Sequence, residues 1–379
     1  MVTIGIVKES KKGETRVSAT PDTVKKFIAM GFDVLVESDA GSLSLISDAD
    51  FKNVGAKIVD RKKAFGADCV CKVSCPDESE IKLLKDSAVL IGSIDPFLNL
   101  KSMKSLAVKN ITALAMEFLP RISRAQSMDS LSSQSNIAGY KAVLLGADHL
   151  GQIFPMMTTA AGTLSPARVV ILGAGVAGLQ AIATARRLGA RVEVSDIRPE
   201  TKEEVESLGG KFIEVDSEED NSAEGGYAKQ VSKEFLAKQR EVLTERISVS
   251  NCVISTALVP GKKAPVLITK DMVEKMKPGS VIVDMAAANG GNCELTKPGS
   301  TVSHKGVSIL GPENIPALVP LHSSTVYAKN ILNLITHMMD KDEKSIKVDS
   351  KDEIVGPMMV SADGNIVEER IKNAMEEGK

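Results

Sequence analysis

The residues Gly173-Ala174-Gly175-Val176-Ala177-Gly178 follow directly on an apolar run, Val169–Leu172, and lead into a helix-like stretch that Gly189 ends. In such a strand, turn and helix the first glycine permits the tight turn, the second lets a pyrophosphate approach the backbone, and the third lets helix and strand pack closely. Amides at the helix N-terminus then face the phosphate charge. Glycines alone would be weak evidence, but Val192-Glu193-Val194-Ser195-Asp196 places an acid at a strand end about 20 residues on, where a ribose is met. The constellation points to a dinucleotide. Asp196 would accept hydrogen bonds from the adenosine ribose and repel the 2′-phosphate of NADP, which selects NAD(H). Arg198, two residues on, could pair with such a phosphate or stand solvated at a helix entry.

A second candidate is the polar block Arg121-Ile122-Ser123-Arg124-Ala125-Gln126-Ser127-Met128-Asp129-Ser130-Leu131-Ser132-Ser133-Gln134-Ser135-Asn136. It is too polar for a core. One reading is a hinge with helix-capping serines. The other is a nicotinamide pocket, in which Gln126 supplies the donor and acceptor that a carboxamide needs and Arg121 and Asp129 hold each other beside the ring. The four histidines, His149, His304, His322 and His337, are scattered, and the five cysteines have neither an even framework nor zinc spacing. The expected metal complement is none. Cys69 and Cys71, two apart, should share a strand face.

These sites need a scaffold, and 379 residues that are 43% hydrophobic can bury two cores. Lys and Arg number 47 against 49 Asp and Glu, a net charge of -2, which argues against a nucleic-acid partner. The apolar runs fall short of the roughly 20 residues that span a bilayer. Met1-Val2-Thr3-Ile4-Gly5-Ile6-Val7 reads as a first strand rather than an export signal, so a cytoplasmic location is expected.

Short β-branched runs alternate with amphipathic pieces twice along the chain, first from Thr3–Val7 to Ile111–Met116 and again from Val169–Leu172 to Val307–Leu310. Repeated βα units predict an α/β fold of two Rossmann-like domains with parallel sheets, the second inserted into the first. The first domain is expected at 1–125 plus about 325–379, and the nucleotide-binding domain at 135–322. A helix is expected from about Ser132 to Gln152, another over Ser323–Met339. Asp216–Gly226, acidic and rich in small residues, should be a mobile loop. In the tail, Glu353–Met359 and Asn365–Glu369 read as strands around a turn at Asp363-Gly364.

With these blocks the sequence resembles the NAD(H)-binding component of proton-translocating nicotinamide nucleotide transhydrogenases. The resemblance runs through Lys8-Glu9 with Gly13-Glu14-Thr15-Arg16-Val17, Pro120–Gly139, Met156–Gly162, Gly173–Gly178, Glu206–Gly210, Gly225-Gly226-Tyr227, Thr256–Gly261 and Gly290-Gly291-Asn292. It implies that Arg121, Gln126, Asp129 and Ser132 surround the nicotinamide, with Ile122 and Ser123 alongside. Gly173, Gly175, Val176, Ala177 and Gly178 would meet the pyrophosphate, and Asp196, Ile197 and Arg198 the ribose. Gly226 and Tyr227 would ride a loop that closes over the coenzyme, with Gln239 and Leu258 completing the pocket.

The resemblance further implies partners: an NADP(H)-binding subunit that receives the hydride, a membrane-spanning subunit that passes protons, and a second copy of this chain in a homodimer. The chain would then sit peripherally on the inner side of the membrane. Direct transfer between two nicotinamides needs distance and orientation, not an acid, base or metal on a side chain.

Two other readings remain. Alanine dehydrogenases share the resemblance, and Arg16 and Lys72 match basic residues those enzymes use on substrate. Yet Val89–Asp95 has no histidine, and Ala288 stands where they keep an acid. A non-catalytic NAD-binding sensor is the other, and Ala317-Leu318 departs from the usual pattern of the family.

Overall fold

A computed structural model of the chain describes residues 2–214, 233–258, 263–340 and 342–377. The chain divides into two compact units, Met1–Gln134 with Ala317–Lys379, and Ser135–Pro316. The division falls within one long helix, Ser130–His149.

The first unit is built on an eight-stranded sheet in the spatial order Asn365–Ile366, Met359–Ala362, Thr112–Ala115, Val89–Ser93, Cys69–Ser74, Thr3–Ile6, Asp33–Glu37, Lys57–Val59. Its six N-terminal strands are parallel. The two from the tail run antiparallel at one edge. Side chains alternate between faces, so Cys69, Cys71 and Val73 enter one apolar cluster and Val70 the other. Both faces are covered, as a parallel sheet requires. In the helix Pro21–Ala29, Pro21 opens the first turn and the Thr20 amide donates to the Thr23 hydroxyl at 2.9 Å. The helix Pro320–Met338 buries Tyr327, Ile331, Leu334, Ile335 and Met338 in the first cluster.

The second unit carries a seven-stranded sheet in the order Lys211–Phe212, Arg191–Ser195, Arg168–Leu172, Cys252–Ser255, Val281–Asp284, Val307–Leu310, Thr301–His304. All pairs are parallel except the last. The order reverses between Arg168–Leu172 and Cys252–Ser255, which opens a crevice at their C-terminal ends. Apolar clusters lie on both faces here too.

Both sheets are parallel-dominated rather than wholly parallel, and three further local expectations change. Glu353–Met359 is not one strand: Asp352 accepts the amides of Ile354 and Val355 at 2.8 and 2.9 Å and starts a helical turn, Val355–Met358, before the strand begins at Met359. The tail's second strand is only Asn365–Ile366, after a turn in which Asp363 and Gly364 both have positive φ. A hairpin, Met157–Thr159 and Gly162–Leu164, pairs with no other described strand.

Candidate functional site

The glycine-rich turn in the second unit has the geometry its sequence demands. Gly173 adopts φ +102°, and a Cβ on Gly178 would lie 1.9 Å from the Gly173 carbonyl oxygen. Only glycine permits that approach of the helix Val176–Arg187 to the strand. Gly175 is different: its Cβ would meet nothing within 4 Å, and the residue is exposed. Open backbone at the start of a twelve-residue helix is what a pyrophosphate needs, so this cradle fits a dinucleotide. Val176 is exposed and Ala177 half-buried at the same turn.

Asp196 lies at the end of the adjoining strand and accepts the Ala174 amide at 2.7 Å, which ties the acid to the turn. Arg198 holds the carboxylate from the other side, through its amide, Nε and Nη2. Burial alone would raise the Asp196 pKa, but the guanidinium and the two amides outweigh it and keep the acid below the usual carboxylate range. Asp196, Ile197 and Arg198 are each half-buried, so they remain reachable.

The crevice is bordered by Thr256, whose hydroxyl donates to the carbonyls of Leu172 and Gly173 at 3.1 and 3.2 Å. Leu258 is exposed, and Gln239 is buried in the helix Lys233–Ser248. Gly226, Tyr227 and the expected mobile loop lie outside the described residues.

In the first unit the polar block forms a short 3-10 helix, Ser123–Met128, followed by the helix Ser130–His149. Ala125 and Met128 anchor it in the apolar cluster, and the side chains of Asn330 and Asn333 each donate to the Ser127 carbonyl at 2.9 Å. Asp129 accepts the Ser132 amide at 2.9 Å and its hydroxyl at 2.5 Å, capping the helix start. Arg121, Ser123 and Gln126 are exposed, and Ile122 is partly buried. The block is thus a rigid ledge with its longest polar side chains outward.

A buried ionic network in the same unit leaves no sign of itself in the sequence. Lys72 is fully buried, 3.1 Å from Glu9 and 3.3 Å from Glu80. Burial would lower its pKa, but the two carboxylates raise it, so the ammonium stays charged. Arg61 pairs with Glu80 and, at 3.0 Å, with Glu37. Arg16 forks onto Glu14 through Nε and Nη2 and reaches Gln134 at 2.8 Å. Lys8-Glu9 and Gly13-Glu14 stand out as sequence blocks, but nothing in them tells that Glu9 neutralises a cation far along the chain. Nearby, Glu117 accepts the Asp95 amide on Oε1, while its buried Oε2 has no partner. Burial and then the neighbouring Asp95 push its pKa up to about 8. Ala288 is exposed, and Ala317 is buried with its carbonyl bonded to the Thr15 hydroxyl.

The cysteines are unbridged. Burial raises the thiols of Cys252 and Cys75 to about 12, so these two are inert. Among the described residues no helix is long and apolar enough to cross a membrane.

Comparison with known proteins covers almost the whole chain. Residues 5–138 match the alanine dehydrogenase/PNT N-terminal domain, and residues 142–369 the C-terminal domain of the same family. The second match runs past Pro316 into the tail that folds with the first unit. In Rhodospirillum rubrum, the first of the polypeptides that make up NAD(P) transhydrogenase subunit alpha is 50% identical over 373 residues, covering 96% of this chain and 97% of that one. A transhydrogenase structure from Sinorhizobium meliloti superposes with a TM-score of 0.89 at 41% identity, over 96% of this chain and 100% of that one. An L-alanine dehydrogenase structure gives 0.83 at 26% identity, over 99% of each.

Proposed function

The chain belongs to the alanine dehydrogenase/PNT family, and we propose that within it this is the NAD(H)-binding component of a proton-translocating transhydrogenase. The observation that carries this choice is the state of the two cations that an amino-acid dehydrogenase would need on its substrate. Lys72 is buried between Glu9 and Glu80, and Arg16 is forked onto Glu14. Neither offers charge to a substrate carboxylate without losing its own partner. Val89–Asp95 also lacks the histidine that such chemistry calls for, and Ala288 replaces its acid.

What remains is a dinucleotide cradle and an anchored polar ledge. Gly173–Gly178 would seat the pyrophosphate, Asp196 the ribose, and Arg121, Gln126, Asp129 and Ser132 the nicotinamide, with Ile122, Ser123, Ile197, Arg198, Gln239 and Leu258 around them. Gly226 and Tyr227 would close over the coenzyme. Bound NADH supplies a hydride at its C4 atom, which NADP+ on a separate subunit accepts. The residues of this chain need only orient the ring and exclude water, a task of positioning. A membrane-spanning subunit would couple the exchange to proton passage and hold this chain at the inner side of the membrane.

The exposed hairpin supports a homodimer. Met156, Met157 and Leu164 are 65%, 45% and 53% exposed. A two-stranded ribbon with bare apolar side chains is marginal alone and suits cover by a second copy.

The test is to mix the purified chain with the NADP(H)-binding subunit of a transhydrogenase and follow reduction of an NAD analogue by NADPH. Turnover is expected in the mixture and not with either protein alone. Steady NAD+ reduction by this chain with alanine would replace the reading with alanine dehydrogenase. NADH binding without turnover in any mixture would favour a sensor.

A further inference from the structure

Across the crevice from Asp196, the ends of Cys252–Ser255 and Val281–Asp284 are organised by one buried acid. Asp284 is fully buried, and all five of its donors are neutral. Oδ1 accepts the Ser255 hydroxyl at 3.2 Å and the Ala286 amide at 3.0 Å. Oδ2 accepts the amides of Asn292 and Cys293 at 2.8 and 3.0 Å and the Thr296 hydroxyl at 2.6 Å. A carboxylate with several neutral donors but no cation fixes a loop in one conformation, because any rearrangement strands the charge. Gly290 and Gly291 supply the positive φ values that bend the loop back, and a Cβ on Gly291 would come within 2.9 Å of Asp284 Oδ2.

The loop delivers Asn292, itself fully buried, to the crevice-side segment. Asn292 Nδ2 donates to the carbonyls of Ala257 and Pro265 at 2.9 and 2.8 Å. Ala257 follows Thr256, which is bonded to the Gly173 carbonyl. A continuous relay therefore runs from Asp284 through Asn292 to the edge of the glycine turn. In a doubly wound sheet the two nucleotide halves lie on opposite sides of the switch point. With the adenosine half over Asp196, the nicotinamide half falls on the Asn292 side.

We propose that Asn292, fixed by Asp284, is a positioning residue for the nicotinamide half of the coenzyme: it holds the Ala257–Leu258 main chain where that half binds. The inference rests on the NAD(H) reading above. It is tested on the full-length chain by calorimetry with NADH and with ADP-ribose, which lacks the nicotinamide. Asn292→Ala is expected to weaken NADH about tenfold and ADP-ribose less than about twofold. Thr296→Val removes one of the five donors and is expected to shift the same ratio about threefold. Should Asn292→Ala fail to fold by circular dichroism, Thr296→Val decides. Equal losses for both ligands, or an unchanged ratio, overturn the proposal. A wild-type chain that binds neither ligand removes the coenzyme reading itself, whereas one that binds both with an unaltered ratio in the variants leaves that reading standing and sinks only this inference.

Discussion

Arg198 grips Asp196 with two parallel bonds, Nε to Oδ1 and Nη2 to Oδ2, each 2.9 Å long. The acid that would select the coenzyme is thus already oriented before any ribose arrives. The pairing also puts a guanidinium beside the position a 2′-phosphate would take. Asp196→Ala is expected to reduce the preference for NADH over NADPH by about tenfold or more, since it deletes the repelling charge and leaves Arg198 in place. Titration of NADH fluorescence against NADPH fluorescence measures this, and an unchanged preference would refute the ribose assignment.

Gln126 stands exposed on a ledge pinned by Asn330 and Asn333. Gln126→Asn shortens the side chain by one carbon without moving its base. If Gln126 orients the nicotinamide, hydride transfer in the mixed complex should slow by about 100-fold, the usual cost of a displacement near 1 Å. NADH affinity should change far less. Stopped-flow rates compared with equilibrium titration separate the two, and equal losses would remove the orienting role.

Lys72→Met leaves Glu9 and Glu80 facing each other in a buried site with the Lys72 ammonium gone. The expected destabilisation is about 3–5 kcal/mol, the cost of breaking one side of a buried pair. Denaturant unfolding of the first unit reads it directly. A loss below about 1 kcal/mol, the scale of a surface ion pair, would mean that water reaches the network.

Glu117 gives the protein a pH dependence with a definite sign. Its ordinary value is 4.5 and its folded value about 8, raised by burial and by Asp95. Between these values the native chain holds a proton that the unfolded chain has released, so stability from this group is full below 4.5 and declines as pH rises through about 8. Glu117→Gln copies the protonated shape. The thermal midpoint of the variant should exceed that of the wild type at pH 9 and approach it at pH 5; a constant difference across that range would show that Glu117 does not carry the effect.

The glycine turn is legible in the sequence because each glycine answers a separate local requirement, and Asp196 because a strand end fixes its position. The alternation of Cys69, Val70 and Cys71 across two faces follows from the pleat alone. Contacts between distant positions leave no comparable trace. Glu9 meets Lys72 across 63 steps of chain that nothing local dictates, and Asp284 gathers donors whose amides look the same in any sequence. The exposed hairpin at Met157–Leu164 hides for another reason: with no buried face it shows no two-residue rhythm. The Glu353–Met358 turn imitates a strand because Asp352 capping outweighs β-branched residues over so short a span.

The sheet of the first unit has a consequence for how the protein is made. Met359 and Ser361 pair with Leu114 and Ala113, and the Ser361 hydroxyl bonds the Ile111 carbonyl 250 residues earlier. On the ribosome the edge at Thr112–Ala115 stays bare while the entire second unit is synthesised, roughly 10–50 s at 5–20 residues per second. The nucleotide-binding unit can fold in that interval, whereas its predecessor must wait with a sticky border exposed. Yield in the cell should therefore depend on a holding chaperone that shields this border until the tail arrives.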